Sequence, residues 1–167
     1  MLVLLKGFNM HEKISIIGAG SWGTALAIHL AGNFGQISLW VYEKELCETI
    51  TRTRDNVWFL KGHHLPTNIY PTSSLQSAVQ GQSLILLVVP THVIRQTLSQ
   101  IKPFIEKDCL VISASKGIEN DTLFTSHQIT QDVLSPNTLA ATISGPTFAK
   151  EIAEGIPSAL LASAENF

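Results

Sequence analysis

The run Gly18-Ala19-Gly20-Ser21-Trp22-Gly23 constrains this chain more than any other, because of what flanks it. Ahead of it, Ile14–Ile17 reads as a short apolar strand; behind it, Thr24-Ala25-Leu26-Ala27 reads as the apolar face of a helix. A G-x-G-x-x-G turn in that context is the opening of a βαβ unit that holds a dinucleotide. Gly18 permits the sharp turn, Gly20 lets the backbone come close to a pyrophosphate, and Gly23 lets the helix pack tightly on the strand. The free N–H groups and the positive dipole end of the helix then face the phosphates. Ser21 and Trp22 begin that helix, and Trp22 taken alone reads as packing.

Beyond the turn, short apolar runs alternate with helical segments, which predicts βαβ units on a parallel sheet. Strands are expected at Ile14–Ile17, Ile37–Val41, Ser83–Val89, Leu110–Ala114, Leu139–Ile143 and Ala159–Ala162. Leu84–Val89 and Leu110–Ile112 are apolar throughout, as suits strands buried on both faces. Helices are expected at Trp22–Ala31, Lys44–Arg54, Leu75–Val79, His92–Ile101, Thr122–Leu134 and Thr147–Glu154. Asp55 to Ser73, holding Gly62, Pro66 and Pro71, is the longest irregular stretch, and loops of that length are often functional. The fold class is therefore α/β: a doubly wound, mostly parallel, Rossmann-like sheet. Residues 1–10 are expected to be an optional extension, with Met10 as a possible start, and 11–167 a dinucleotide-binding domain. At the other end, Ser163-Ala-Glu-Asn-Phe167 resembles the first turn of a helix that does not continue, so the chain is expected to be a fragment.

Composition narrows the function classes. Eleven Lys and Arg against thirteen Asp and Glu give a net charge of −2, so no basic footprint for nucleic acid exists. Charged residues make up only 14%, against roughly 25% in ordinary soluble domains. That shortfall predicts a surface covered by something else. No stretch approaches the ~20 apolar residues of a membrane span. Met1-Leu-Val-Leu-Leu-Lys-Gly-Phe is too short an apolar run for a secretory signal, and Lys6 interrupts it. Cys47 and Cys109 belong to no C-x-x-C pair and read as reduced thiols of a cytoplasmic protein, Cys109 within the core.

In an open α/β sheet, ligands lie beyond the carboxyl ends of the strands. Besides the glycine turn, three places should lie there. After the second strand come Tyr42, which could pack on an adenine, and Glu43, at the spacing of an acidic residue that holds a ribose 2′-OH. Glu43, with no arginine nearby, leans the cofactor toward NAD over NADP, although Lys44 is adjacent. Val88-Val89-Pro90 ends the next strand and starts a turn whose backbone can face the middle of the cofactor; His92, in the following helix turn, reads as solvated. Finally, Lys116 leaves a strand end where it could neutralise a phosphate or meet a reacting oxygen. Thr147, after Ser144-Gly145-Pro146, is expected to cap a helix whose amides suit an anion. The histidines form no metal-ligand spacing, so no metal is expected, and no G-x-S-x-G elbow is present.

Taken in order, Gly18-Ala-Gly-Ser-Trp-Gly-Thr-Ala-Leu-Ala27, Asn56-Val-Trp-Phe-Leu60 with Leu65-Pro-Thr-Asn-Ile69, Val88-Val-Pro90, Lys116-Gly-Ile-Glu119 and Ser144-Gly-Pro-Thr-Phe-Ala149 resemble the amino-terminal domain of NAD(P)-dependent glycerol-3-phosphate dehydrogenase. That resemblance implies hydride transfer between NAD(P)H and dihydroxyacetone phosphate, giving sn-glycerol 3-phosphate for phospholipid synthesis. It implies cofactor contacts for Ser21, Trp22, Tyr42, Lys116 and Ala149, and substrate contacts for Lys116, Gly145 and Thr147. It also places the catalytic lysine in a following helical domain, so no catalytic residue is expected in this chain, and implies a homodimer at full length. Two departures stand out: Lys61 where the family usually has Pro, and Tyr42-Glu43 where many bacterial members carry Arg or His. The alternatives are another two-domain dehydrogenase, such as a ketopantoate reductase or a hydroxyacid dehydrogenase, and a dinucleotide-sensing module without chemistry; a methyltransferase is more distant.

Overall fold

The computed structural model describes residues 13–136 and 138–164. Among the described residues, seven strands form one sheet: β1 (Lys13–Ile17), β2 (Gln36–Trp40), β3 (Ile69–Thr72), β4 (Leu84–Leu87), β5 (Leu110–Ser113), β6 (Ala140–Ser144) and β7 (Leu161–Ala164). Their order is β3-β2-β1-β4-β5-β6-β7. Neighbours pair parallel up to β6, and β7 runs antiparallel to β6. The helices are α1 (Ser21–Leu30), α2 (Lys44–Thr53), α3 (Leu75–Val79), α4 (Ile94–Ile101), α5 (Ser126–Val133) and α6 (Ala149–Ala153).

Side chains alternate across a strand, so an all-apolar strand feeds two cores at once. In β4, Leu84 and Leu86 join Leu26, Leu30, Leu46 and Ile50 from α1 and α2 on one face. Ile85 and Leu87 join Val79, Ile94, Leu98 and Ile129 from α3, α4 and α5 on the other. Each fully buried aliphatic side chain stabilises the fold by about 1.5–3 kcal/mol. These two layers hold the strand ends, and hence the loops after them, in fixed relation.

Several expectations are corrected. Ile69–Thr72 is a strand, although the sequence predicted an irregular stretch from 55 to 73; it pairs with β2 at the sheet edge, where Pro71 breaks no interior ladder. The helix expected over Thr122–Leu134 begins only at Ser126, because Leu123 takes a left-handed conformation (φ 59°). Thr125 and Gln128 then form a capping box at its start. Thr91–Val93 is a single 3-10 turn ahead of α4, not part of it. The last strand is Leu161–Ala164, shifted from Ala159–Ala162, so Ser163 and Ala164 are extended where a helix turn was expected. The rest of that turn, 165–167, and the extension 1–10 lie outside the described residues. No helix among the described residues is long and apolar enough to cross a membrane.

Candidate dinucleotide cleft

The strand order reverses between β1 and β4, and loops leaving the two strands in opposite directions open a crevice at their carboxyl ends. A cleft of about 730 Å³ lies there. Its floor is the glycine turn, and the three glycines play different parts. At Gly18 (φ 118°) an added Cβ would sit 2.6 Å from the Val88 carbonyl oxygen. At Gly23 it would sit 1.8 Å from the Gly18 carbonyl oxygen, so β1 and α1 meet there with no room for a side chain. Gly20 is the opposite case: its backbone is extended, and nothing lies within 4 Å of an added Cβ. The first and third glycines serve packing; the second leaves space in front of the helix amides.

The turn is held from behind by a residue thirty-odd positions away. Asn56, fully buried, donates from Nδ2 to the Ala19 carbonyl (2.8 Å) and to Thr24 Oγ1 (2.7 Å), while its Oδ1 accepts from the Phe59 amide (3.1 Å). The same loop is fastened by Arg54, whose guanidinium donates to the carbonyls of Leu65, Pro66 and Ile69. Asn68 Nδ2 donates to the carbonyls of Ala31 and Phe34 at 2.8 Å each. The irregular stretch of the sequence is thus a bolted segment, and it brings Phe59 to the cleft wall.

The remaining walls come from the other strand ends. Tyr42 stands 76% exposed after β2, edge-on to Trp40 with ring centroids 5.9 Å apart, and Glu43 lies beside it at the start of α2. Pro90 follows β4. Ser115 Oγ donates to the Val89 carbonyl (2.7 Å), and Thr91 Oγ1 donates to the Lys116 carbonyl (2.5 Å), tying the loops after β4 and β5 together. Lys116 Nζ donates to the Thr147 carbonyl (3.4 Å) and lies 5.8 Å from the centre of the Trp22 ring. Two buried polar atoms of the lining, Trp22 Nε1 and Thr147 Oγ1, have no hydrogen-bond partner among the described residues. Leaving such groups unmet costs about 1–3 kcal/mol each.

The predicted residues can now be placed. Gly18, Gly20, Ser21, Trp22, Gly23, Tyr42, Pro90, Lys116, Thr147 and Ala149 all line this one cleft. Gly145 does not: an added Cβ there would sit 2.4 Å from the Ala159 carbonyl oxygen, so it lies under the chain's return to β7. His92 is exposed and outside the lining. Thr147 is not the expected cap; Phe148 occupies that position without a side-chain bond, and the Thr147 hydroxyl is buried instead. The sequence reading missed Asn56, Thr91 and Ser115 as supports. Their side chains act on backbone carbonyls far along the chain, which no local pattern reveals. It also missed an ion cluster behind Lys116: Arg95 meets Glu119 through two bonds of 2.9 Å and Asp132 through one of 2.5 Å. Arg95, and then the Thr122 hydroxyl, hold the Glu119 carboxyl down to about 2. Among the described residues, no three His, Cys, Asp or Glu side chains cluster as metal ligands.

A family model described as "NAD-dependent glycerol-3-phosphate dehydrogenase N-terminus" matches residues 13–167. The chain belongs to that family. A relative from Desulfotalea psychrophila named glycerol-3-phosphate dehydrogenase [NAD(P)+] is 45% identical over 157 residues, covering 91% of this chain and 46% of its own length. One of the same name from Citrifermentans bemidjiense is 43% identical over 159 residues, at 94% and 48%. The crystal structure of the Coxiella burnetii glycerol-3-phosphate dehydrogenase superposes with a TM-score of 0.87 at 29% identity, covering 95% of this chain and 48% of that one. The chain therefore spans about half the length of these glycerol-3-phosphate dehydrogenases, and the half it spans contains the glycine turn and the cleft.

Proposed function

We propose that this chain is the dinucleotide-binding half of an NAD(P)-dependent glycerol-3-phosphate dehydrogenase, which reduces dihydroxyacetone phosphate to sn-glycerol 3-phosphate and the reverse. The observation that carries this is convergence. The open space at Gly20, the ammonium of Lys116, and the residues Trp22 and Thr147 beside it line one cleft at the reversal of strand order.

The residues fit a bound NAD(P). Gly20 and Ser21 at the start of α1 would hold the pyrophosphate, Tyr42 and Glu43 the adenosine end, and Pro90, Lys116 and Ala149 the nicotinamide end. When bound, the nicotinamide supplies the hydride; the protein supplies position and charge. Lys116, beside Trp22 and Thr147, offers a cation to a phosphorylated three-carbon ketone. Proton transfer to the carbonyl is assigned to a lysine of a following helical domain, and full-length assembly to a homodimer in the cytoplasm. Glu43 in the cleft wall, with no arginine among the described residues of the lining, supports the lean toward NAD.

The test is a pair of titrations. The isolated chain should bind NADH weakly and oxidise it with dihydroxyacetone phosphate little or not at all, whereas the full-length protein should do both. Failure of a nicotinamide nucleotide to bind the full-length protein would refute the proposal. Ketopantoate in place of dihydroxyacetone phosphate distinguishes the nearest rival enzyme.

A further inference from the structure

Lys116 carries the positive charge of the cleft, yet Glu119 is only three residues away, across Gly117 and Ile118. Three residues of chain span at most about 10 Å, a distance the two long side chains can close between them. A carboxylate that paired with Lys116 would neutralise the ammonium before any anion arrived. In the structure that pairing does not form. Instead, both oxygens of Glu119 are engaged by Arg95: Oε1 accepts from Arg95 Nε and Oε2 from Arg95 Nη2, each at 2.9 Å. The Thr122 hydroxyl donates a third bond to Oε2 at 2.5 Å. Arg95 is fixed in turn by Asp132 of α5. A planar guanidinium meeting a carboxylate in this two-pronged way is directional as well as attractive.

We propose that Arg95 is a positioning residue for the cleft: by engaging both oxygens of Glu119 it keeps that carboxylate away from Lys116, so that the ammonium stays available to an anionic ligand. The inference rests on the reading of Lys116 as the anion-facing cation of the proposed function. The backbone of the turn does not depend on the pair. The Glu119 amide donates to the Phe124 carbonyl (2.9 Å), the Leu123 amide to the Glu119 carbonyl (3.0 Å), and Thr91 holds the Lys116 carbonyl. Removing a side chain of the cluster therefore changes charge pairing without undoing the loop.

Three variants of the intact chain test this: Arg95→Met, Glu119→Gln, and the two together. The first readout is the rate at which Lys116 is modified by an amine-directed reagent at fixed pH, followed on its peptide by mass spectrometry. With Arg95→Met, Glu119 keeps only the neutral Thr122 hydroxyl bond and turns to Lys116, and modification slows about two- to fivefold, the range of an exposed ion pair. Glu119→Gln and the double variant lose the competitor, and both react at the parental rate. A cluster that only braces the loop predicts a different pattern, in which all three variants change alike; that pattern, or no change with Arg95→Met, overturns the proposal. Thermal unfolding of each variant confirms that it is folded.

The second readout is KM for dihydroxyacetone phosphate in the full-length protein, expected to rise two- to fivefold with Arg95→Met at unchanged kcat and to return in the double variant. If the modification pattern holds but the parent neither binds NADH nor turns over, the proposed function fails while the role of Arg95 stands.

Discussion

Replacing Gly20 and Gly23 with alanine, one at a time, separates the two jobs done within a single turn. A Cβ at position 23 would lie 1.8 Å from the Gly18 carbonyl oxygen, and that obstacle is backbone. Relief requires α1 to move off β1, across a contact that anchors both Leu26 and Ile16 in one core. Overpacking of this kind costs about 1–3 kcal/mol and sometimes more. With no flexible side chain to yield, the upper end applies, about 3 kcal/mol. For a domain of this size that is a fall in Tm of roughly 6–12 °C. Position 20 behaves otherwise. Its φ of −65° and ψ of −179° suit any residue, and the space in front is empty. Gly20→Ala should hold or slightly raise Tm, by the ~0.4–1 kcal/mol that a less flexible unfolded chain confers. Yet a methyl group there fills the approach to the helix amides. Losing one charge-assisted hydrogen bond there, worth about 1.5–3 kcal/mol, weakens binding roughly 10- to 100-fold. Differential scanning calorimetry and NADH titration on both variants decide it. An unchanged Tm for Gly23→Ala, or parental NADH affinity for Gly20→Ala, would refute the division of labour.

Other outcomes follow from the same geometry. Asn56→Ala removes two donated bonds and one accepted bond at a fully buried site, and should lower stability by about 2–3 kcal/mol, read from urea unfolding. Lys116→Ala in the full-length protein should reduce kcat/KM by roughly 3 kcal/mol, as for loss of one preorganised donor; an unchanged value removes Lys116 from the site. Because Glu119 is held down to about 2 in the folded state, its contribution is present above the ordinary carboxylate range and disappears as pH falls toward 2. Glu119→Gln should therefore flatten the dependence of Tm on pH between 5 and 2. Burial pushes the Cys109 thiol up to about 12 and also raises that of Cys47. Both should resist a thiol reagent at pH 8 and react once the protein is unfolded.

Much of the sheet was legible because a strand buried on both faces announces itself: Leu84–Leu87 and Leu110–Ser113 lie where their apolar runs predicted. Pro71 and the turn residues around it concealed β3, since an edge strand tolerates what an interior one does not. The direction of β7 was hidden for a different reason: four residues pair equally well either way, and the path of 145–160 decides. At the site, the glycine turn and the strand-end positions were readable because the fold rule places them together. The supports were not. Asn56 and Arg95 act through partners 37 and 24 residues away, and only the folded chain brings those together.

The cleft lies on the seam between two half-sheets, β3-β2-β1 and β4-β5-β6, and its walls are drawn from both. An occupant spanning that seam clasps the halves like a rivet, because neither can swing away without losing part of the grip. Amide deuteration should accordingly slow on both sides at once, in Ile14–Ile17 as in Leu84–Leu87, when the cleft is filled.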